Sequence, residues 1–392
     1  MSTNKGFSLD YDKPSLPYIK GFKTVIKSHT PPPPFENEYP RKIPEGAPSD
    51  FTHKNYVFEY PPLENPLDSD SSQSKVADLE IIEAIATGDS RGAQVVLCKI
   101  TPPDNKCYQA VAKIYDALYY KFLGKTTPLL SDDVVFRADR DYTSEAAAYE
   151  HLQATGQTGT SAPDYFGSWT FTLPCQGPQK KVDRPIRLIL MEYLNGARMI
   201  DLFRVSSSGR PNAFHYQKGF RLEVMKEVLE LISRLARAGI RRSGLAPQNA
   251  MLVPRPEPHW TEAQVPRVVF IDYHLTSIDR TVKSSEGNNL QNPEKPQSPM
   301  KTFWAKDFSF FSGWIPTEWH IYGGHRKWLV DRFGANDMKD TYAPVDLTEL
   351  QSANDGTDSD DVSETDSSEE DRSEEEGDLE HEGVWRDTVR AS

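Results

Sequence analysis

An apolar-striped helix that runs through a short polar loop into an apolar strand does most to limit what this chain can fold into. The helix is expected over residues 222–238, with Val224, Val228, Leu231, Ile232 and Leu235 on one face. That i, i+4, i+7, i+8 spacing marks a buried stripe. Gly239 ends it, as glycine commonly does at a helix C-terminus. The loop Arg242-Ser243-Gly244-Leu245-Ala246-Pro247-Gln248-Asn249 follows, and Ala250–Val253 reads as a strand. A proline-rich insertion at 254–267 and a strand at 268–272 complete one candidate site around that loop.

Upstream, the pattern changes to alternation. Strands are expected at 79–86 and 93–100, split by Thr87-Gly88-Asp89-Ser90-Arg91-Gly92, and a third at 108–115 after a Pro/Asp/Asn turn. A helix at 142–154 has Asp141 as its N-cap and Gly156 as its stop. Two more strands fit at 165–173 and 186–192, separated by a polar, basic loop at 175–184. Downstream, residues 276–301 read as a flexible polar segment. Aromatic residues then concentrate at 303–328, where a packed core is expected, and 320–333 supplies one helix.

The two ends of the chain differ from its middle. Residues 1–75 carry Pro31-Pro32-Pro33-Pro34 and further prolines without an apolar period, and are expected to be largely disordered or extended. Residues 351–392 hold 16 Asp/Glu against 3 Lys/Arg, a net of −13 that equals the whole chain's. The acidity therefore belongs to the tail and says nothing about a ligand of the folded part. Ser363, Ser367, Ser368 and Ser373 each have an acidic residue three positions on and look like targets of acidophilic kinases. Cys98, Cys107 and Cys175 form no C-x-x-C pair, so a zinc or redox motif is not expected and a reducing compartment is. Met1-Ser2-Thr3-Asn4-Lys5 lacks the apolar core of a signal peptide. No run reaches the roughly 18 apolar residues of a membrane span. An intracellular protein is expected, cytoplasmic or nuclear, neither secreted nor transmembrane, with no nucleic-acid partner.

The loop ending in Pro247-Gln248-Asn249 resembles the protein-kinase catalytic loop, H-R-D-L-x-x-x-N. Leu245, Pro247 and Asn249 match, and Gly244 stands where the family keeps its proton-accepting Asp. Ala110-Val111-Ala112-Lys113 is similar to the V-A-I-K strand, and Glu145 in Ser144-Glu145-Ala146-Ala147 to the helix Glu that pairs with that Lys. Leu188-Ile189-Leu190-Met191-Glu192-Tyr193-Leu194 resembles the last small-lobe strand and the hinge, and Ile271-Asp272-Tyr273-His274 sits where D-F-G belongs. Gly88 and Gly92 approximate the glycine loop with one residue fewer between first and last glycine. With Phe311-Ser312-Gly313-Trp314-Ile315-Pro316-Thr317-Glu318-Trp319, the pattern is similar to fungal kinase-domain proteins with a short second lobe.

The resemblance implies an α+β, two-lobed protein kinase-like fold. An antiparallel-sheet N-lobe with one helix and the hinge would span 76–196. A reduced, mainly helical C-lobe would span 197–345 with insertions at 254–267 and 276–301, followed by an acidic disordered tail at 346–392. It implies ATP bound by Gly88, Gly92, Lys113, Glu145, Met191, Glu192 and Leu194, and Mg²⁺ held by Asn249 and Asp272. With no carboxylate at Gly244, a pseudokinase acting as an interaction or regulatory module is expected. The alternatives are an active Ser/Thr kinase with a displaced base, for which His274 is the candidate, and a small-molecule phosphotransferase of the same superfold. Protein partners are expected at the proline-rich segment or the acidic tail.

Overall fold

The computed structural model describes residues 14–35, 62–64, 74–89, 91–120, 134–176, 181–206, 209–242, 246–279, 295–306, 308–319, 324–335, 338 and 340–355. Gly244 with its neighbours Ser243 and Leu245, the serines of the acidic tail, and most of the first 75 residues lie outside that set. The chain divides into two compact units at Asp346. The expected boundary at 196/197 falls within the first.

Six strands close into an antiparallel barrel: β1 (Lys23–Ser28), β2 (Val76–Ala86), β3 (Gln94–Thr101), β4 (Tyr108–Tyr115), β5 (Tyr165–Gln176) and β6 (Lys181–Met191), in the order β1-β2-β3-β4-β6-β5. Period-two alternation explains the closure. Leu79 and Ile81, then Val96, Cys98 and Ile100, then Ala110, Ala112 and Ile114, then Leu188 and Leu190 are buried on one face. The register sets them opposite one another, Leu79 to Ile100, Val96 to Ala112, Ile114 to Leu188, so every strand turns its apolar row to the same interior.

The strand that closes the barrel comes from the region expected to be disordered or extended. Lys23-Thr24-Val25-Ile26-Lys27-Ser28 pairs with β2 on one side and with Thr170 and Trp169 of β5 on the other. Tyr18 and Ile26 are fully buried, and Pro32 is buried too. Six residues with one inward apolar side chain are too short a signal to stand out beside the prolines. The loop expected at 175–184 differs as well. β5 runs on through Gln176 and β6 starts at Lys181, because the paired residues Cys175–Val182 and Leu173–Arg184 continue the ladder past the apolar stretch.

Between β4 and β5 lies α1 (Val134–Ala154). It begins two turns before the expected Asp141 cap. Val134, Val135, Ala138 and Tyr142 extend the buried stripe of Glu145, Tyr149 and Leu152 backwards, and Asp141 sits within the helix. Its end is the expected one. Gly156 adopts φ +68°, its N–H donates to the Gln153 carbonyl, and the Gln157 N–H donates to that of Leu152. That double bond pattern is the Schellman motif.

The second half is built on α2 (Lys218–Arg237), which buries Val224, Val228, Leu231 and Leu235. Before it come the short β7 (Ala197–Arg198), β8 (Arg204–Val205) and β9 (Pro211–Asn212). After it, β10 (Ile240–Arg242) pairs with β13 (Thr276–Ile278), while β11 (Ala250–Val253) lies between β7 and β12 (Arg267–Phe270). At Gly196 a Cβ would meet the Leu252 carbonyl oxygen at 2.3 Å, so only glycine lets the chain leave β6 this close to β11. The segment expected to be flexible at 276–301 supplies β13 and α3 (Pro299–Phe303), which Ser298 caps through the Met300 N–H. The late aromatics are core: Trp304, Phe308, Phe311, Trp314, Trp319 and Trp328 are buried, and Phe310 is exposed. Trp328 belongs to α4 (His325–Phe333). The second unit contains α5 (Leu347–Asp355). Among the described residues no helix is long and apolar enough to cross a membrane.

Candidate functional site

Lys113 stands on β4 between Val95 of β3 and Ile189 of β6, on the face opposite the buried Ala112 and Ile114. Its ammonium bridges two carboxylates from distant parts of the chain. Nζ donates to Glu145 Oε2 on α1 at 2.5 Å and to Asp272 Oδ1, just past β12, at 2.6 Å. The Lys113 and Glu145 side chains are 15% and 1% exposed, that of Asp272 32%. Glu145 holds two further partners: Oε2 also accepts from the Tyr115 hydroxyl at 2.7 Å, and Oε1 from the Tyr273 N–H at 3.2 Å.

Asp272 reaches Lys113 through a left-handed backbone turn, φ +67°. Aspartate is one of the few non-glycine residues that tolerates this conformation. The turn buries the Tyr273 ring, edge-on to Tyr149 of α1 at 5.4 Å, and brings His274 Nδ1 within 2.7 Å of Asp272 Oδ1. Burial penalises all three charges, and pairing outweighs it. Lys113 is held above its usual pKa by Asp272 and Glu145. Asp272 is pulled well below the carboxylate range by Lys113 and His274. His274 is raised by its hydrogen bond and attraction to Asp272. The Lys113 ammonium thus lies between two carboxylates, and Asp272 and His274 are still partly open to solvent.

Asn249 enters through the backbone. It ends a 3₁₀ turn, Pro247–Asn249, and its carbonyl accepts the Ile271 N–H at 2.9 Å. It is therefore held beside the residue that precedes Asp272. Glu145, Asp272 and His274 offer ligand atoms that all lie within 4.8 Å of one another. Only their carboxylate oxygens suit a hard ion such as Mg²⁺, and an imidazole suits transition metals.

The other candidate residues lie in the β2–β3 turn and at the end of β6. Gly88 and Gly92 lie in the β2–β3 turn, which is closed by a residue the sequence did not bring to notice. Gln94 is fully buried; its Oε1 accepts the Gly88 N–H at 2.7 Å. Its Nε2 donates to the carbonyls of Gly88, Gly92 and Tyr119 at 3.1, 3.3 and 3.3 Å. A Cβ on Gly92 would meet the Tyr120 ring at 3.5 Å and Asp141 Oδ2 at 3.8 Å, so the turn folds over α1. Met191 ends β6, buried, and accepts the Tyr149 hydroxyl at 3.4 Å. In the turn after it, the Glu192 N–H donates to Asp164 and the Leu194 carbonyl accepts from Gly196. The Glu192 side chain pairs with Arg267 at 2.9 Å. A cavity of about 690 Å³ lies at one mouth of the barrel, lined by Val76, Pro102, Tyr108, Phe166 and Trp169. It shares no residue with the cluster.

Tyr115, which bonds Glu145, and Gln94, which ties the turn, carry no motif in the sequence. Neither protein-family models nor curated proteins contain a match to this chain.

Proposed function

We propose that the chain is a protein kinase-like protein, a pseudokinase that takes ATP with Mg²⁺ and serves as an interaction or regulatory module. The observation that carries this reading is the bridge from Glu145 through Lys113 to Asp272, made across 32 and 159 residues of sequence. Lys113 and Glu145 lie within a run of four strands, one helix and two strands; from β2 onward, three strands, a helix and two strands, this is the order of a kinase small lobe. In such a protein Lys113 would neutralise the nucleotide's phosphates, with Glu145 fixing its position. Asp272 and Asn249 would hold the metal, which supplies charge neutralisation at the phosphates. Met191 would limit the base pocket beside the backbones of Glu192 and Leu194, and the β2–β3 turn would cover the phosphates with its N–H groups.

Gly244 has no side chain to accept a substrate proton. A positioned base contributes about 10²–10⁴-fold, so nucleotide binding without appreciable transfer is the expected outcome. Thermal shift with Mg²⁺-ATP tests the first part, and γ-phosphate transfer the second. The reading requires a shift in the wild type that Asp272→Asn abolishes, and transfer that Gly244→Asp increases. No shift at millimolar Mg²⁺-ATP removes nucleotide binding from the proposal.

One observation favours a second reading, an active transferase with a displaced base. Asp272 engages His274 at Nδ1, an arrangement that leaves Nε2 as the acceptor when the imidazole is neutral. Wild-type transfer that His274→Ala removes without changing the ATP-induced shift would select it. On either reading the protein works inside the cell, in the cytoplasm or nucleus; Cys98 and Cys175 are buried free thiols and Cys107 an exposed one, which suits a reducing compartment.

A further inference from the structure

The segment that closes the barrel also reaches the ion pair. His29 directly follows β1. Its Nδ1 shares a hydrogen bond with Tyr142 Oη at 2.6 Å, and the two rings lie 5.7 Å apart. Tyr142 stands on α1 three residues before Glu145 and is buried. Its ring meets that of Tyr115 edge-on at 5.4 Å. The Tyr115 hydroxyl in turn donates to Glu145 Oε2, the oxygen that receives Lys113. An unbroken row of side chains thus runs from the end of β1 to Lys113.

Other contacts from the same stretch hold the same helix. Phe35 packs on Phe136 at 5.5 Å, and the Leu63 N–H donates to the buried Asp139 carboxylate at 3.1 and 3.3 Å. Phe136, Asp139 and Tyr142 are spaced by three along α1, so the N-terminal residues follow the helix for nearly two turns. They also secure the far end of β4. Tyr18 donates to Asp116 at 2.5 Å, and Asp116 follows Tyr115 directly and caps the next turn through the Leu118 N–H.

A carboxylate that meets an ammonium at 2.5 Å needs its helix fixed in both rotation and translation, and a slip of about 1 Å breaks such a contact. Among the described residues, β1 and its flanks grip α1 and β4 together, the two elements whose relative position sets that distance. We propose that His29 and Tyr142 are positioning residues for Glu145, through which the N-terminal segment sets the Lys113–Glu145 pair. The proposal concerns how the pair is held and does not require that a nucleotide binds there.

The test reads Lys113 itself in the ligand-free full chain. An amine-reactive ester acylates neutral amines, so a paired, protonated Lys113 is labelled slowly. Its labelling rate is measured by peptide mass mapping and divided by that of Lys99, an exposed lysine on β3. His29→Ala and Tyr142→Phe are each expected to raise the ratio about two- to tenfold, the range that one lost hydrogen bond represents. His29→Gln, which keeps a polar partner for Tyr142, is expected to restore it. Tyr142→Phe removes one oxygen and keeps the ring, which guards against loss of the fold. If both variants lower the melting temperature yet leave the ratio at the wild-type value, the contacts are packing alone and the proposal fails. Because no ATP is present, this failure is distinct from failure of the nucleotide-binding reading.

Discussion

Lys113 and Asp272 stand 159 residues apart in the chain, and their side chains meet at 2.6 Å. With Glu145 on its other side, the Lys113 ammonium lies between one fully buried carboxylate and one partly buried one. Breaking a buried pair costs more than making it gains, because the survivor keeps its desolvation penalty. Lys113→Met is therefore expected to destabilise the protein by about 3–5 kcal/mol in urea unfolding at pH 7. Glu145→Gln, which leaves Lys113 paired with Asp272, is expected to cost about 1–3 kcal/mol. Equal and small losses for both would mean that the pair is hydrated in solution.

Gln94, fully buried, ties the β2–β3 turn with three hydrogen bonds and Tyr119 with a fourth. Its truncation leaves a part-buried N–H, two part-buried carbonyls and the buried Tyr119 carbonyl without that partner. Gln94→Ala is expected to cost about 1–3 kcal/mol and to speed amide exchange at Gly88 and Gly92. Gln94→Glu is expected to be worse, since it turns an oxygen toward three carbonyl groups that now receive an N–H. Hydrogen exchange of the turn distinguishes the two effects. A turn as protected in Gln94→Ala as in the wild type would show that the ladder alone holds it.

These two variants also show what the sequence displayed. Lys113, Glu145 and Asp272 are legible in the sequence because each lies in an element with a clear period or motif. The strands β2, β3, β4 and β6 were legible from alternation, and the stop at Gly156 from one residue's freedom at positive φ. Gln94 and Tyr115 were not, because a buried polar side chain inside a strand reads as one polar letter until its partners are known. The early start of α1 was hidden by Asp141, which looks like a cap in sequence. β1 was hidden by its length and by the proline run beside it, although its ladder to β2 and β5 closes the barrel.

Tyr18, in that same N-terminal stretch, is a test of how firmly the stretch belongs to the fold. Its hydroxyl donates to Asp116, which is 1% exposed and also receives Arg184. Burial and the Asp116 charge together raise the Tyr18 pKa well above normal, so it stays a donor. Tyr18→Phe keeps the ring contacts with Phe22, Tyr119 and Phe171 and removes one bond to a charged group. The expected loss is about 1.5–3 kcal/mol. Arg184→Met leaves the Asp116 carboxylate without its cation and is expected to cost about 3–5 kcal/mol. A Tyr18→Phe protein as stable as the wild type in urea would mean that residues 14–22 contribute little to folding.

Asp141 carries the pH prediction. It lies on α1 under the β2–β3 turn, its nearest cation is Arg140 at 3.5 Å, and Oδ1 has no hydrogen-bond partner among the described residues. Burial raises its pKa, and the nearby His274, Arg140 and Lys113 charges only partly offset this. The sign follows from proton uptake. A carboxyl whose folded pKa is raised binds its proton more tightly in the native state, so stability falls as pH rises from the unfolded value of about 3.9 through the folded value. Above that window a constant cost of ionisation in a dry place remains. Asp141→Asn removes it. The variant is expected to melt above the wild type at pH 7, and the gap is expected to close as pH falls toward 4. Paired melting curves at the two pH values decide the matter. A variant that melts below the wild type at pH 7 would show that the Asp141 charge is held by partners that stabilise it.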